Sequence, residues 1–270
     1  MNADTATIAD GNVLLTIEDH VAHIRLNRPE AANGMSVELL SDFYDAVMTV
    51  HGAADVRAVL ITGAGKNFCA GGDIQAFFSK GKDLPAYIRK ATAFLQDAMQ
   101  SLMRLDAPVI AAVQGYATGG GGFGMVCAVD LVVAAESAKF LAGATKVGMA
   151  PDAGTTATLP AIVGQRKAAE ILLLNPTMTS AEAKELGIVN RVVPDAELFE
   201  SAMALAKDLA AGPPLAQAAV KREIRNHAKQ PVEAVFTEEA RTVAELSGTD
   251  DALEGLASMI ERRPARFTGR

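Results

Sequence analysis

The chain has 270 residues, half of them hydrophobic and 21% charged, with a formal net charge of −7. This composition is typical of a globular protein with a large core, and the acidic balance argues against nucleic acid or a membrane surface as the main partner. The two cysteines, Cys69 and Cys127, stand far apart and the four histidines are scattered, so we expect neither a disulfide framework nor a metal site.

The N-terminal segment, MNADTATIADGN, lacks the cationic stretch and the apolar run of a signal peptide. No apolar run elsewhere approaches the roughly 20 residues that a membrane-spanning helix needs. We therefore expect a cytoplasmic protein.

The first predicted elements are a β-hairpin and a helix. Val13–Ile17 and Val21–Leu26 are short apolar or β-branched runs separated by a turn, which favours a hairpin. Ser36 is a suitable N-cap for the amphipathic segment after it, and Gly52 is a plausible stop.

Strands and helices then alternate, which is typical of an α/β core. Apolar runs predict strands at 58–62, 109–113 and 131–135, and Pro85 opens a long helix with apolar residues at helical spacing. After Val193 only helical patterns remain, at 198–211, 215–227, 232–246 and 250–262. We therefore predict an α/β core over residues 1–197 and a helical C-terminal region over residues 198–270.

Three glycine-rich segments could carry chemistry, and the first of them is GAGKNFCAGGDI, residues 63–74. Glycine and alanine let a ligand approach the backbone closely and leave N–H groups exposed. The segment is not a P-loop, because no Gly-Lys-Ser/Thr follows at the required spacing. On its own it could equally be a turn.

The second segment is GGGGFG, residues 119–124, between a predicted strand and a predicted helix start. This placement brings unsatisfied N–H groups and the positive end of a helix to one point, which suits an anion or a developing oxyanion. Gly119, Gly121 and Gly124 also match the dinucleotide pattern G-x-G-x-x-G. An NAD-binding oxidoreductase is nevertheless disfavoured, because no acidic residue ends a strand about twenty residues further on.

The third segment, GMAPDAG, contains a single carboxylate, Asp152, among small and apolar residues. An apolar pocket raises the pKa of a carboxyl group towards that of a useful base. The alternative is a simple turn or helix cap.

Taken together, these segments resemble the crotonase (enoyl-CoA hydratase/isomerase) superfamily. The resemblance runs from Asn27-Arg28-Pro29 through FCAGGDI, AAVQGYATGGGG and GMAPDAG to the C-terminal ERRPARFTGR. It implies an α/β fold, a spiral of ββα units, whose C-terminal helical region supports a homotrimer or a dimer of trimers.

The resemblance also implies that two backbone N–H groups stabilise a thioester enolate. By position these belong to Ala70 and Gly121, with Gly120 as a candidate for the second. Acyl-coenzyme A is then the substrate, and no further cofactor is required. The residues that the resemblance places along the coenzyme A path are Arg28, Ala32, Lys66, Ala70, Gly72, Asp73, Ile74 and Phe267; Arg28 and Lys66 are candidate phosphate partners, and Phe267 would act from a neighbouring subunit.

The acidic residues distinguish the possible reactions. Hydratases of the family carry two glutamates, at positions where this chain has Phe123 or Gly124, and Ala144. Family isomerases carry one carboxylate after the proline of the turn, where this chain has Asp152. A single base that accepts and returns one proton is sufficient for moving a double bond. The resemblance therefore favours an isomerase, nearest to the epoxyphenylacetyl-CoA isomerase branch.

Three other interpretations stay open at this point. A hydratase is the first alternative, and a non-catalytic acyl-CoA-binding protein, which would not need Asp152, is the second. A dehalogenase would use Asp152 as a nucleophile on an aromatic ring. That interpretation is weakened because the chain contains no tryptophan, and Tyr87 stands where dehalogenases have a histidine.

Overall fold

The computed structural model describes residues 8–228 and 230–270. Residues 1–7 lie outside these ranges. They belong to the N-terminal segment for which the sequence predicts no signal peptide, so that prediction falls partly outside the described residues. Within it, the strands in chain order are β1 (Val13–Glu18), β2 (Val21–Leu26), β3 (Ala58–Gly63), β4 (Val109–Val113), β5 (Tyr116–Thr118), β6 (Leu131–Ala135), β7 (Lys139–Leu141), β8 (Met178–Thr179) and β9 (Arg191–Val193).

The α-helices of the described chain alternate with these strands and then continue beyond them. In chain order they are α1 (Val37–Gly52), α2 (Ile74–Ser79), α3 (Leu84–Arg104), α4 (Met125–Ala128), α5 (Thr155–Val163), α6 (Gln165–Leu174), α7 (Ser180–Glu185), α8 (Leu198–Ala210), α9 (Pro214–His227), α10 (Val232–Leu246) and α11 (Asp250–Glu261). The predicted α/β class is confirmed.

The main sheet has six strands in the order β1-β2-β3-β4-β6-β9. The predicted hairpin is confirmed: β1 and β2 are antiparallel, with Val13 opposite Leu26. The other pairs are parallel. All five residues of β4 are buried, as expected for a parallel strand covered on both faces.

A second sheet has three short strands in the order β5-β7-β8. The sequence patterns did not predict these strands, because two or three residues are too few to show a period of two. Two isolated β-bridges involve the first glycine-rich segment. One pairs Cys69 with Ala117 of β5, and the other pairs Gly72 with Met35, just before α1. The bridge from Cys69 to Ala117 places the first glycine-rich segment beside the strand that leads into the second.

Helix α8 belongs to the packed core. It lies against β3, β4 and β6, and its residues Leu198, Ala202 and Leu205 are buried there. Helix α8, which the sequence analysis assigns to the helical C-terminal region 198–270, is therefore part of the packed core. Helices α9 to α11 present apolar side chains that are each more than half exposed: Val220, Ile224, Val232, Phe236, Val243, Leu253, Leu256, Met259 and Ile260.

Within residues 8–228 and 230–270, no helix is both long enough and apolar enough to pass through a lipid bilayer. In the same ranges, no three His, Cys, Asp or Glu side chains gather in an arrangement that could hold a metal ion.

Candidate active site

The three glycine-rich segments line one cavity of about 550 Å³. We call the part formed by Gly72, Gly120, Gly121 and Asp152 the backbone wall, because it consists of main chain and one carboxyl group. A second part of the lining we call the apolar wall. It is formed by Leu40, Phe77, Ile88, Ala91 and Leu95.

Asp152 carries the only carboxyl group among the described residues that line this cavity. Burial raises the pKa of Asp152 above its ordinary value, and a hydrogen bond from its own backbone N–H offsets this only in part. A carboxylate that is disfavoured by burial is a stronger base than one in water. The side chain is therefore suited to accept a proton from a carbon acid.

The carboxyl group of Asp152 lies against the glycine cluster. A Cβ atom built on Gly120 would be 1.7 Å from the carboxylate Oδ1. A side chain at position 120 and the observed position of the carboxyl group are therefore mutually exclusive. Glycine at this point allows the base to approach the backbone directly.

The glycine cluster itself forms a π-helical turn over Gly120–Gly124, which continues into α4. The first N–H groups of a helix have no acceptor inside it. Those of Gly120 and Gly121 donate to no acceptor among the described residues. Both residues line the cavity, so either N–H group could serve a ligand there.

The N–H group of Ala70 is not available to a ligand. It donates to the carbonyl oxygen of Ala32 at 3.0 Å. Ala32 has a left-handed backbone conformation, with φ of 51°, inside the tight turn after Pro29. The prediction of Ala70 as the first oxyanion donor is therefore wrong, although Ala70 does line the cavity.

Gly72, two residues further on, differs from Ala70 in the direction of its N–H group. Met35 donates to the carbonyl oxygen of Gly71 and accepts from the N–H of Asp73. In such a parallel bridge the N–H of the intervening residue points to the opposite side. The N–H of Gly72 has no acceptor among the described residues. The resemblance places Gly72 on the coenzyme A path and does not include its N–H group among the expected donors.

Arg28 and Asp73, two predicted ligand contacts, form an ion pair with each other. Nη1 of Arg28 lies 2.7 Å from Oδ2 of Asp73 and donates to the carbonyl oxygen of Gly34 at 3.0 Å. The other carboxylate oxygen accepts from the N–H of Ala76 at 2.9 Å and so caps α2. Burial acts to raise the pKa of Asp73, but these hydrogen bonds outweigh it and the pKa is lowered. The pair stabilises the turn that leads into the cavity.

The remaining predicted contacts divide into two groups. Ile74 lines the cavity together with Ala70 and Gly72. Lys66 is exposed on the surface and, like Ala32, lies outside the lining. Phe267 packs next to Gly255 of α11, and its carbonyl oxygen accepts from Nη1 of Arg57 at 2.9 Å. The cavity of the same chain does not include Phe267.

The apolar wall was not predicted as part of the site. The apolar stripe of α3 predicts a helix that packs on the core, and Ile88, Ala91 and Leu95 of this stripe also line the cavity. Sequence periodicity identifies the buried face of a helix but not whether another helix or a ligand covers it. Tyr87, on the same helix, points elsewhere: its hydroxyl oxygen accepts from the N–H of Val37 at 3.2 Å.

The positions that hold glutamates in family hydratases carry no acid here. Ala144 lines the cavity, and the ring of Phe123 is fully buried outside the lining. The site thus combines one carboxylate, free N–H groups and an apolar wall. These features define an α/β protein whose cavity can bind an apolar acyl group beside a site for negative charge.

Comparison with known proteins agrees with this class. Residues 16–270 match the family model described as enoyl-CoA hydratase/isomerase. The chain is 35% identical to a probable enoyl-CoA hydratase of Rhodobacter capsulatus, over 94% of this chain and 96% of that protein. It is 31% identical to the 1,2-epoxyphenylacetyl-CoA isomerase of Escherichia coli, over 96% of this chain and 98% of that enzyme.

A solved structure extends the comparison to the fold. The crystal structure of an enoyl-CoA hydratase from Bacillus anthracis superposes with a TM-score of 0.90 at 32% identity, covering 96% of this chain and all of that one. The chain therefore belongs to the enoyl-CoA hydratase/isomerase family. Its fold is the crotonase fold, and acyl-CoA processing is the activity of this family.

Proposed function

We propose that this protein is an enoyl-CoA isomerase that moves a double bond in an acyl-CoA thioester with Asp152 as the only proton carrier. One observation carries the proposal: among the described residues that line the cavity, Asp152 is the single acid, and its pKa is raised by burial. Isomerisation needs one group that accepts a proton and returns it.

In the proposed mechanism, the ionised carboxylate of Asp152 removes a proton from C2 of a 3-enoyl-CoA. The electron pair moves into the thioester, and negative charge develops on its oxygen. The N–H groups of Gly72 and Gly121 stabilise this enolate, with Gly120 as the alternative to Gly121. Protonated Asp152 then returns the proton to C4, and the double bond lies between C2 and C3. Preorganised donors favour the charged intermediate over the ground state.

A hydratase is the second candidate function, and the name of the relative from Rhodobacter capsulatus favours it. Hydration requires a bound water that one group orients and another protonates or deprotonates. Ala144, which lines the cavity, can do neither. A hydratase would thus have to orient and activate water with Asp152 alone.

The test compares two substrates. The protein is incubated separately with a 3-enoyl-CoA and a 2-enoyl-CoA, and products are followed by chromatography and mass. We expect double-bond migration from the first and slow or no addition of water to the second. Rapid hydration of the 2-enoyl-CoA would contradict the isomerase and establish the alternative. Unchanged substrates in both arms would favour a non-catalytic acyl-CoA-binding protein.

We further propose that the chain assembles as a homotrimer or a dimer of trimers. Helices α9 to α11 carry apolar side chains that are each more than half exposed, and large exposed apolar patches are typical of protein–protein interaction sites. Phe267 lies beside α11, so assembly could place it at a neighbouring cavity. Sedimentation analysis tests this proposal: we expect three or six chains, and a monomer at micromolar concentration would contradict it.

A further inference from the structure

A buried threonine, Thr155, binds the main chain of Asp152, the proposed base. Both the N–H and the hydroxyl of Thr155 donate to the carbonyl oxygen of Asp152, at 3.0 and 2.7 Å. Thr155 is the first residue of α5 and is only 3% exposed. Its side chain does not line the cavity, so it has no contact with a substrate there.

The turn that Thr155 closes contains a residue with an unfavourable backbone conformation. Ala153 has φ of 52°, a left-handed conformation that costs energy for a residue with a Cβ. Its side chain is buried, which leaves little room for the turn to relax. Such a conformation persists only when neighbouring interactions hold it. The two hydrogen bonds from Thr155 to the carbonyl oxygen of Asp152 span Ala153 and Gly154 and close this turn.

The same hydroxyl also adjoins the glycine cluster. A Cβ atom built on Gly124 would lie 2.7 Å from Oγ1 of Thr155 and 3.0 Å from Cβ of Ala153. At the other end of the cluster, Gly120 contacts the carboxyl group of Asp152. Thr155 thus packs between the main chain of the base and the helical turn that carries the proposed oxyanion donors.

We infer that Thr155 is a positioning residue that sets the placement of the Asp152 carboxyl group relative to the N–H groups of the glycine cluster. The inference rests on the proposed function, in which proton transfer and enolate stabilisation act on the same substrate. A displacement of about 1 Å between reacting groups can lower a rate about a hundredfold. Loss of the hydroxyl should therefore lower the rate of proton transfer without weakening substrate binding.

The test is Thr155→Val, which removes the hydroxyl at nearly constant volume. The carbonyl oxygen of Asp152 keeps its hydrogen bond from the N–H of residue 155, so no buried acceptor is left without a partner. We expect kcat about tenfold lower with KM within twofold of the wild type. Thr155→Ser, which restores the hydroxyl, should return kcat to within about threefold.

Thr158→Val is the matched control. Thr158 lies on the same helix as Thr155, and its hydroxyl donates to the carbonyl oxygen of Gly154 at 3.3 Å. Loss of this hydroxyl should leave kcat and KM unchanged. If Thr155→Val does not fold, Thr155→Ala replaces it, since alanine also lacks the hydroxyl and is small enough to fit.

The outcomes separate this inference from the proposed function. A wild type that moves no double bond contradicts the proposed function. An active wild type with kcat of a folded Thr155→Val or Thr155→Ala within twofold of its own contradicts the positioning role. A variant with a lower melting temperature but unchanged kcat below that temperature also contradicts it, because a purely structural role gives that result.

Discussion

The two walls of the cavity are built from different chemistry. The backbone wall offers main-chain N–H groups and one carboxylate, and its geometry depends on glycines with no space for a Cβ. The apolar wall offers only side-chain surface, mostly from α3. One wall is therefore suited to stabilising charge and the other to accepting an acyl group of a given size. A change on the first wall should alter kcat, and a change on the second should alter substrate preference.

The largest effect is expected for Asp152→Asn. The amide cannot accept a proton from carbon, so isomerase activity should fall by at least about 100-fold, the lower end for loss of general base catalysis. Thioester binding should persist. Activity is measured with a 3-enoyl-CoA, and Asp97→Asn, a change at an exposed position of α3, serves as the control.

The same variant tests whether Asp152 has a structural role. Burial raises the pKa of this group in the folded protein, so any stability it contributes is present at low pH and lost as pH rises through that pKa. At neutral pH the ionised carboxylate destabilises the fold, and Asp152→Asn should melt at the same or a higher temperature. A clearly lower melting temperature would mean that the carboxylate supports the fold.

Gly120→Ala should have the next largest effect. The new Cβ would overlap the Oδ1 position and displace the carboxyl group, so we expect about a 100-fold loss of kcat, as for a misplaced reacting group. The control is Gly52→Ala at the end of α1, where a Cβ meets no atom within 4 Å. Equal activity of the two variants would contradict the observed placement of Asp152.

The pH dependence should show a smaller, graded effect. Because the ionised carboxylate is the base, kcat/KM should be constant above the pKa of Asp152 and fall about tenfold per pH unit below it. Burial raises this pKa, so the inflection should lie above the ordinary aspartate value of about 3.9. A profile without this acidic limb, recorded where the protein is folded, would exclude Asp152 as the base.

The smallest effect on chemistry is expected for the apolar wall. Ile88→Ala should enlarge the cavity at the apolar wall and changes no residue of the backbone wall. We expect the ratio of kcat/KM for a longer over a shorter acyl chain to rise about tenfold, the scale of one or two methylene groups in an apolar pocket. An equal loss for every chain length would show that the two walls are not independent.

Much of the fold could be predicted from local patterns. Strand β4 and helix α10 begin and end where periodicity placed them, because a buried parallel strand and an amphipathic helix each have a distinct spacing of apolar residues. Strands β5, β7 and β8 could not be predicted in this way. They exist because their partners lie beside them, and two or three residues carry no pattern of their own.

The sequence by itself determined the chemistry that is available: one acid among small residues, glycines where main chain must be approached, and an apolar stripe on a helix. The tertiary structure decided which groups are free to act. The pairing of Met35 with the first glycine-rich segment leaves the N–H of Gly72 without an acceptor among the described residues, whereas the N–H of Ala70 donates to Ala32. Arg28 likewise binds Asp73. Hydrogen-bond partners depend on strand register and on the distance between remote segments, and neither is encoded in the spacing of residues along one segment.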